Sequence, residues 1–168
     1  MNELYAEAGC KRLNTMKVVL QKTGLIAVVV IVFLLAILTL NQILMFVGML
    51  GIIGLVFFLP RLNVEYEYIF VDGQLDFDKI MGGARRKTAM RIQIEQIEIV
   101  APAGSHTLDS YSNNSQVKIK DFSSGDPNAK VYVVMHRQGE TLTKILFEPD
   151  EKMLACMKQK SPRKIVEY

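Results

Sequence analysis

Two histidines, His106 and His136, and two cysteines, Cys10 and Cys156, are the side chains best suited to acid–base, nucleophilic or metal chemistry in this sequence. Each of those chemistries needs partners at a set spacing. A zinc site collects Cys, His or carboxylate ligands in short pairs, and no such set surrounds either histidine. His106 stands in a polar stretch and His136 near a turn, as surface histidines do. Nucleophile-elbow, phosphate-loop and dinucleotide fingerprints are absent, and Gly82-Gly83 alone signals a turn. Cys156 falls on a helical segment where a free thiol packs as a small hydrophobe. The sequence therefore predicts no catalytic residue, no metal and no cofactor, and argues against an enzyme.

Binding chemistry is better represented. Arg85, Arg86 and Lys87 with Arg91 form one basic group, and Lys158, Lys160, Arg163 and Lys164 form a second. One reading is contact with anionic lipid head groups, to which each surface Lys or Arg contributes ~1 kcal/mol. The other is solvated strand and helix ends on a domain that needs surface charge in any case. No aromatic residues interleave these groups, so nucleic-acid binding is not expected. Glu65, Glu67, Asp76 and Asp78 make another segment acidic. They either present an edge to a protein partner or form the solvent face of a sheet, and the second is favoured.

The elements that carry these groups divide sharply. Half of the 168 residues are hydrophobic, and the 36 from Gly24 to Leu59 include no charged residue or histidine. One helix of that length would rise ~54 Å, far beyond the ~30 Å of a bilayer core. Asn41 and Gln42 interrupt the block at its centre. Two helices follow, 23–40 and 43–59, joined by a tight turn as a transmembrane hairpin. A cleavable signal peptide has a shorter apolar core and a cleavage site, and ~100 residues would not bury so apolar a pair in a soluble core.

Lys11, Arg12, Lys17 and Lys22 precede the block and Arg61 follows it, whereas the turn is uncharged. The positive-inside rule then places both termini in the cytoplasm. Two unpaired cysteines suit a reducing compartment. The net charge of +3 divides into +2 over residues 1–22 and +1 over 61–168, so the larger part is nearly neutral. Gly48, Gly51 and Gly54 recur on one side of the second helix. They form either a dimerisation face, giving a homo-oligomer, or a contact with Gly24, Ala27 or Ala36 inside the hairpin, and the second is favoured.

Beyond Pro60 the pattern changes from helical to alternating. Val64, Tyr66, Tyr68 and Phe70 share a face, Asp72-Gly73 supplies a type I′ turn, and Gln74–Met81 returns, pairing Phe70 with Leu75 and Tyr68 with Phe77. A third strand, Arg85–Ile94, ends where the parity of Ile92 and Ile94 gives way to that of Ile97 and Ile99. A bulge or turn at Glu95-Gln96 is expected there, before a fourth strand that ends near Val100. Residues 103–115 read as a polar loop. Further strands are expected at Gln116–Asp121, Lys130–Arg137 and Glu140–Phe147, with a turn at Gln138-Gly139 that sets Arg137 opposite Glu140. Glu148-Pro149-Asp150-Glu151 marks a helix start with Pro149 at its first position, and Met153, Leu154 and Met157 form its apolar face.

Seven antiparallel strands and a C-terminal helix are the order of a pleckstrin-homology (PH) barrel. The segments Asn63–Phe70, Asp72–Ile80, Glu148–Met153 and Ser161–Lys164 resemble an uncharacterised family of small bacterial membrane proteins with two N-terminal helices and a PH-like domain. The resemblance implies a membrane-anchored α+β chain. Its parts are a cytoplasmic N-terminal segment (1–22), a two-helix transmembrane hairpin (23–60), a cytoplasmic seven-stranded antiparallel PH-like barrel with a C-terminal helix (61–160), and a tail (161–168). The basic loop of eukaryotic lipid-binding PH domains is missing, because Asp72-Gly73 occupies its place. The function expected is a non-enzymatic module at the inner face of the cell membrane that binds an unidentified protein; the alternative is a lipid-sensing or envelope-maintenance protein whose basic groups touch head groups.

Overall fold

A computed structural model describes residues 4–112 and 117–166. In chain order its elements are β1 (Tyr5–Lys11), α1 (Met16–Thr39), α2 (Gln42–Phe58), β2 (Val64–Val71), β3 (Gln74–Met81), β4 (Arg85–Gln93), β5 (Ile97–Pro102), α3 (Asp109–Ser112), β6 (Lys118–Asp121), β7 (Tyr132–Gln138), β8 (Thr141–Phe147) and α4 (Glu151–Lys160). They divide into a helical body, residues 13–64 with 81–85, and a β body made of the remainder.

In the helical body, two stretches, Met16–Thr39 and Gln42–Leu62, are helical, long and apolar enough to cross a membrane, with a mean hydropathy of 2.6 each, and only 6% of the residues in each apolar window are buried. The turn between them is as tight as the sequence predicts. Leu40 adopts the left-handed conformation at φ 48°, and the Asn41 side chain caps α2 by accepting from the Ile43 and Leu44 amides. α1 begins at Met16, earlier than position 23, so Lys17 and Lys22 lie within the helix.

The β body contains two four-stranded sheets, ordered β1-β2-β3-β4 and β5-β7-β8-β6. This corrects the single seven-stranded antiparallel barrel in three respects. An eighth strand is present, no ladder closes the two sheets into a barrel among the described residues, and β6 runs parallel to β8. The extra strand is β1, inside the N-terminal segment 1–22, where the sequence predicts no strand. It pairs antiparallel with β2 from Tyr5↔Val71 to Lys11↔Glu65. The parallel pair arises because β6 skips its successor: the chain crosses to β7, and β8 then returns between the two.

Between the sheets lies an aromatic core. Tyr68, Phe70, Leu75, Phe77 and Phe147 are fully buried. Phe77 stacks on Phe122 at 4.9 Å and meets Phe147 edge-on at 5.8 Å, while Tyr68 meets Phe77 at 5.8 Å. α4 contributes Met153, Leu154 and Met157, as its apolar face predicts.

Four local expectations change. The β7–β8 turn is Gly139-Glu140, because Gly139 takes the positive φ of 60°; Arg137 therefore faces Leu142 in register, and its guanidinium pairs with Glu98 instead of Glu140. Pro149 precedes the cap of α4 and is not its first helical residue; Asp150 is the cap, its carboxylate accepting the Met153 amide at 2.7 Å. The stretch after Pro102 is not only loop: a 3-10 turn and α3 bring Leu108 and Tyr111 onto the outer face of the second sheet, over Ala101, Val133, Met135 and Leu142. Residues 113–116 of that expected loop and strand lie outside the described residues. The segment after α4 is no loose tail, since Ile165 bridges Val100 and the Val166 amide donates to the Val100 carbonyl at 2.8 Å. The parity slip falls where expected, at a 3-10 turn over Ile94–Gln96.

Candidate functional site

Three features of the chain bear on function: the helical hairpin, the charged groups on the sheets, and a cleft. Within the hairpin, Gly48 lies against Phe33 and Gly51 against Val29; a Cβ at these positions would meet those side chains at 3.0 and 3.2 Å. Gly54 has nothing within 4 Å, and neither has Gly24. Two of the three glycines thus serve close helix approach inside the hairpin, with bulkier partners than Gly24, Ala27 or Ala36.

The basic groups are largely engaged. Arg86 pairs with Glu67 and, at 3.6 Å, with Asp78. Arg91 forms a bidentate pair with Asp76, at 2.9 Å from Nε to Oδ1 and 2.8 Å from Nη2 to Oδ2. The acidic face of the first sheet is therefore neutralised from within. Lys164 donates to the carbonyls of Ile94 and Glu95, both at 2.9 Å, and the stem of Lys160 lies over Gly73. Arg85, Lys87, Lys158 and Arg163 are exposed. Among the described residues, Arg85, Lys87 and Arg163 have no ion-pair partner. The two groups thus stay separate and contain few uncommitted cations.

The histidines also stay apart. His106 is fully exposed and sits 3.3 Å from Asp109. His136, expected at the surface, is instead buried on β7, 3.4 Å from Gln96 Oε1 by its Nε2, and burial, with Lys120 nearby, lowers its pKa. No group of three or more His, Cys, Asp or Glu suited to a metal occurs among the described residues.

A polar seam escaped the sequence reading. Tyr68 donates its hydroxyl to the Phe122 carbonyl, with Cys10 Sγ 3.0 Å away; burial pushes the Cys10 thiol up to about 11. Arg12 donates to the Tyr66 hydroxyl at 2.8 Å and to Asp121 at 3.1 Å, and Asp121 in turn accepts the Ser123 amide and hydroxyl. The seam ties β1 and β2 of the first sheet to the end of β6 in the second. Its only sequence signal is the weak alternation of Ala6, Ala8 and Cys10, whose side chains are too small to mark a strand.

On the outer face of the second sheet is an open cleft of about 490 Å³, lined by Leu108, Tyr111, Ile119, Met135 and Lys144 among others. Ile119 is 69% exposed there, on the four-residue edge strand β6 between Lys118 and Lys120.

The model of a family of bacterial PH-like domains (DUF6106) matches residues 2–167, which takes in both apolar helices, both sheets and the C-terminal helix of this chain. The chain belongs to that family. No curated protein and no solved structure matches. Membership in a PH-like family is compatible with an interaction module.

Proposed function

We propose that the chain is a non-enzymatic, membrane-anchored PH-like interaction module that holds a protein-binding surface at the inner face of the cell membrane. One observation carries the reading. The hairpin connects two neighbouring strands, and Lys11 and Glu65, just outside its ends, are partners in the β1–β2 ladder. A segment that leaves from one strand and returns to the next must cross a bilayer an even number of times, so both of its flanks stay on one side. Lys17 and Lys22 in the first turns of α1 and Arg61 just beyond α2, against an uncharged turn, favour the cytoplasmic side. The surface offered to a partner is the cleft beside β6, where an exposed isoleucine stands at an open sheet edge.

The test is photo-crosslinking in intact cells from Ile119 and, as a control, from exposed Gln138. One discrete protein adduct at Ile119 and none at Gln138 is the expected result. Equal adducts at both positions, or lipid adducts alone, overturn the assignment of the surface. Reporter fusions complete the test: alkaline phosphatase should be active when inserted at Asn41-Gln42 and inactive at either terminus, and activity at a terminus overturns the orientation.

A further inference from the structure

We infer that the base of the helical hairpin is a binding site for an anionic phospholipid, formed by Lys17, Lys22, Arg61 and Arg85. The inference rests on the membrane-anchored reading above and adds a ligand to it. These four residues are the charged side chains of the helical body; residues 13–64 and 81–85 include no Asp or Glu. A compact body with four cations and no internal counter-charge leaves the negative charge to be brought by something else.

The base is also built to hold its cations. Lys22 Nζ donates to Asn14 Oδ1 at 3.0 Å and to Asn63 Oδ1 at 2.7 Å, tying the first turns of α1 to the chain five residues beyond the end of α2. Both acceptors are neutral amides, which orient the ammonium and bring it no counter-charge. Arg61 lies over the Phe58 ring at 5.5 Å, which fixes its guanidinium at the end of α2. Arg85 reaches this body through the β3–β4 turn. The Gly82 amide donates to the Asn63 carbonyl at 3.1 Å, and a Cβ on Gly82, at φ +64°, would lie 3.2 Å from the Pro60 carbonyl. A side chain there would be both strained and crowded, and the glycine lets the turn latch to the chain just beyond α2, three residues before Arg85.

What adjoins the cations decides the ligand. Met16, Leu20, Phe57 and Phe58, at the same ends of α1 and α2, are exposed apolar side chains. A ligand that satisfies both parts has a phosphate and an acyl chain. Free phosphate satisfies only the first.

The test uses the full-length chain in a nonionic detergent, with thermal unfolding followed by circular dichroism. Phosphatidylglycerol should raise Tm, and equal phosphatidylcholine or inorganic phosphate should not. Arg61→Gln and Arg85→Gln should each weaken the phosphatidylglycerol response about fivefold, whereas Lys118→Gln with Lys120→Gln, on β6, should leave it unchanged. Equal responses to both lipids, or a response to phosphate alone, overturn the inference. If a variant does not fold, native mass spectrometry of the wild-type chain, counting retained phosphatidylglycerol against phosphatidylcholine from a mixed micelle, decides the point: no preference overturns it. Alkaline carbonate washing of membranes separates the two readings. A chain that resists extraction but shows no lipid preference loses only the site; a chain that is extracted loses its anchor and the site with it.

Discussion

Replacing residues 13–63 with Asn-Gly should leave a folded, soluble domain, whereas the plain truncation 61–168 should be markedly less stable. The first change joins Arg12 to Val64 by a type I′ turn and prolongs the ladder that ends at Lys11↔Glu65. It also shortens the connection from ~50 residues to a few, which lowers its closure cost by ~2 kcal/mol. The second change removes β1 and its seven register pairs. At ~0.5 kcal/mol per pair, the low end of a net hydrogen-bond contribution because the released groups of β2 return to water, the strand is worth ~3–4 kcal/mol. The fully buried Ala6 methyl adds less than ~1 kcal/mol, and Arg12 on Tyr66 and Asp121 a similar amount. The loss approaches the whole stability of a domain this size, ~5–15 kcal/mol. Urea titration followed by circular dichroism should therefore place the truncated chain ~2 M below the rejoined one, with a slope of ~2 kcal/mol/M. Midpoints within ~0.5 M of each other would refute the reasoning, because β1 would then contribute nothing to its sheet.

Tyr68→Phe removes the donor to the buried Phe122 carbonyl and should cost ~1–3 kcal/mol in the same titration. His136 has a lowered pKa through burial and Lys120, so the unfolded chain binds its proton more readily. Stability from this residue is complete above the ordinary value of 6.5 and declines as pH falls below it, and His136→Gln should flatten that decline between pH 7 and 5. In the hairpin, Gly48→Leu must displace Phe33 and should lower Tm in detergent, whereas Gly54→Leu, which meets nothing within 4 Å, should not.

Where side chains are large and regularly spaced, the sequence was a sound guide. Tyr66, Tyr68 and Phe70 announce β2, the positive φ of Asp72 and Gly73 follows from their identity, and the parity change after Ile94 marks the 3-10 turn. β1 escaped because Ala6, Ala8 and Cys10 supply alternation without bulk, and its pairing partner lies beyond the hairpin. The partners of the basic groups escaped for a related reason: Arg86 meets Glu67 and Arg91 meets Asp76 only after three strands are in register. Sequence proximity made Arg85, Arg86, Lys87 and Arg91 look like one patch. The fold divides them between an acidic sheet face, which consumes Arg86 and Arg91, and a turn that assigns Arg85 to the helical body.

That division follows from where the hairpin is inserted. A connection between antiparallel neighbours can be of almost any length, because its closure cost grows only with the logarithm of the loop and the ladder fixes its two ends. What it inserts must nevertheless return to its starting point. A single long helix would carry the chain ~35 Å from β1 over 24 residues and leave β2 without its partner, so the seven pairs of β1 and β2 select for a second helix that brings the chain back. The short Leu40-Asn41 turn, the glycines that let α2 approach Phe33 and Val29, and Lys22 bridging Asn14 to Asn63 all meet that one requirement. The helical pair is thus a long excursion of a β-hairpin, and the cations at its base lie where the chain leaves the sheet and where it comes back.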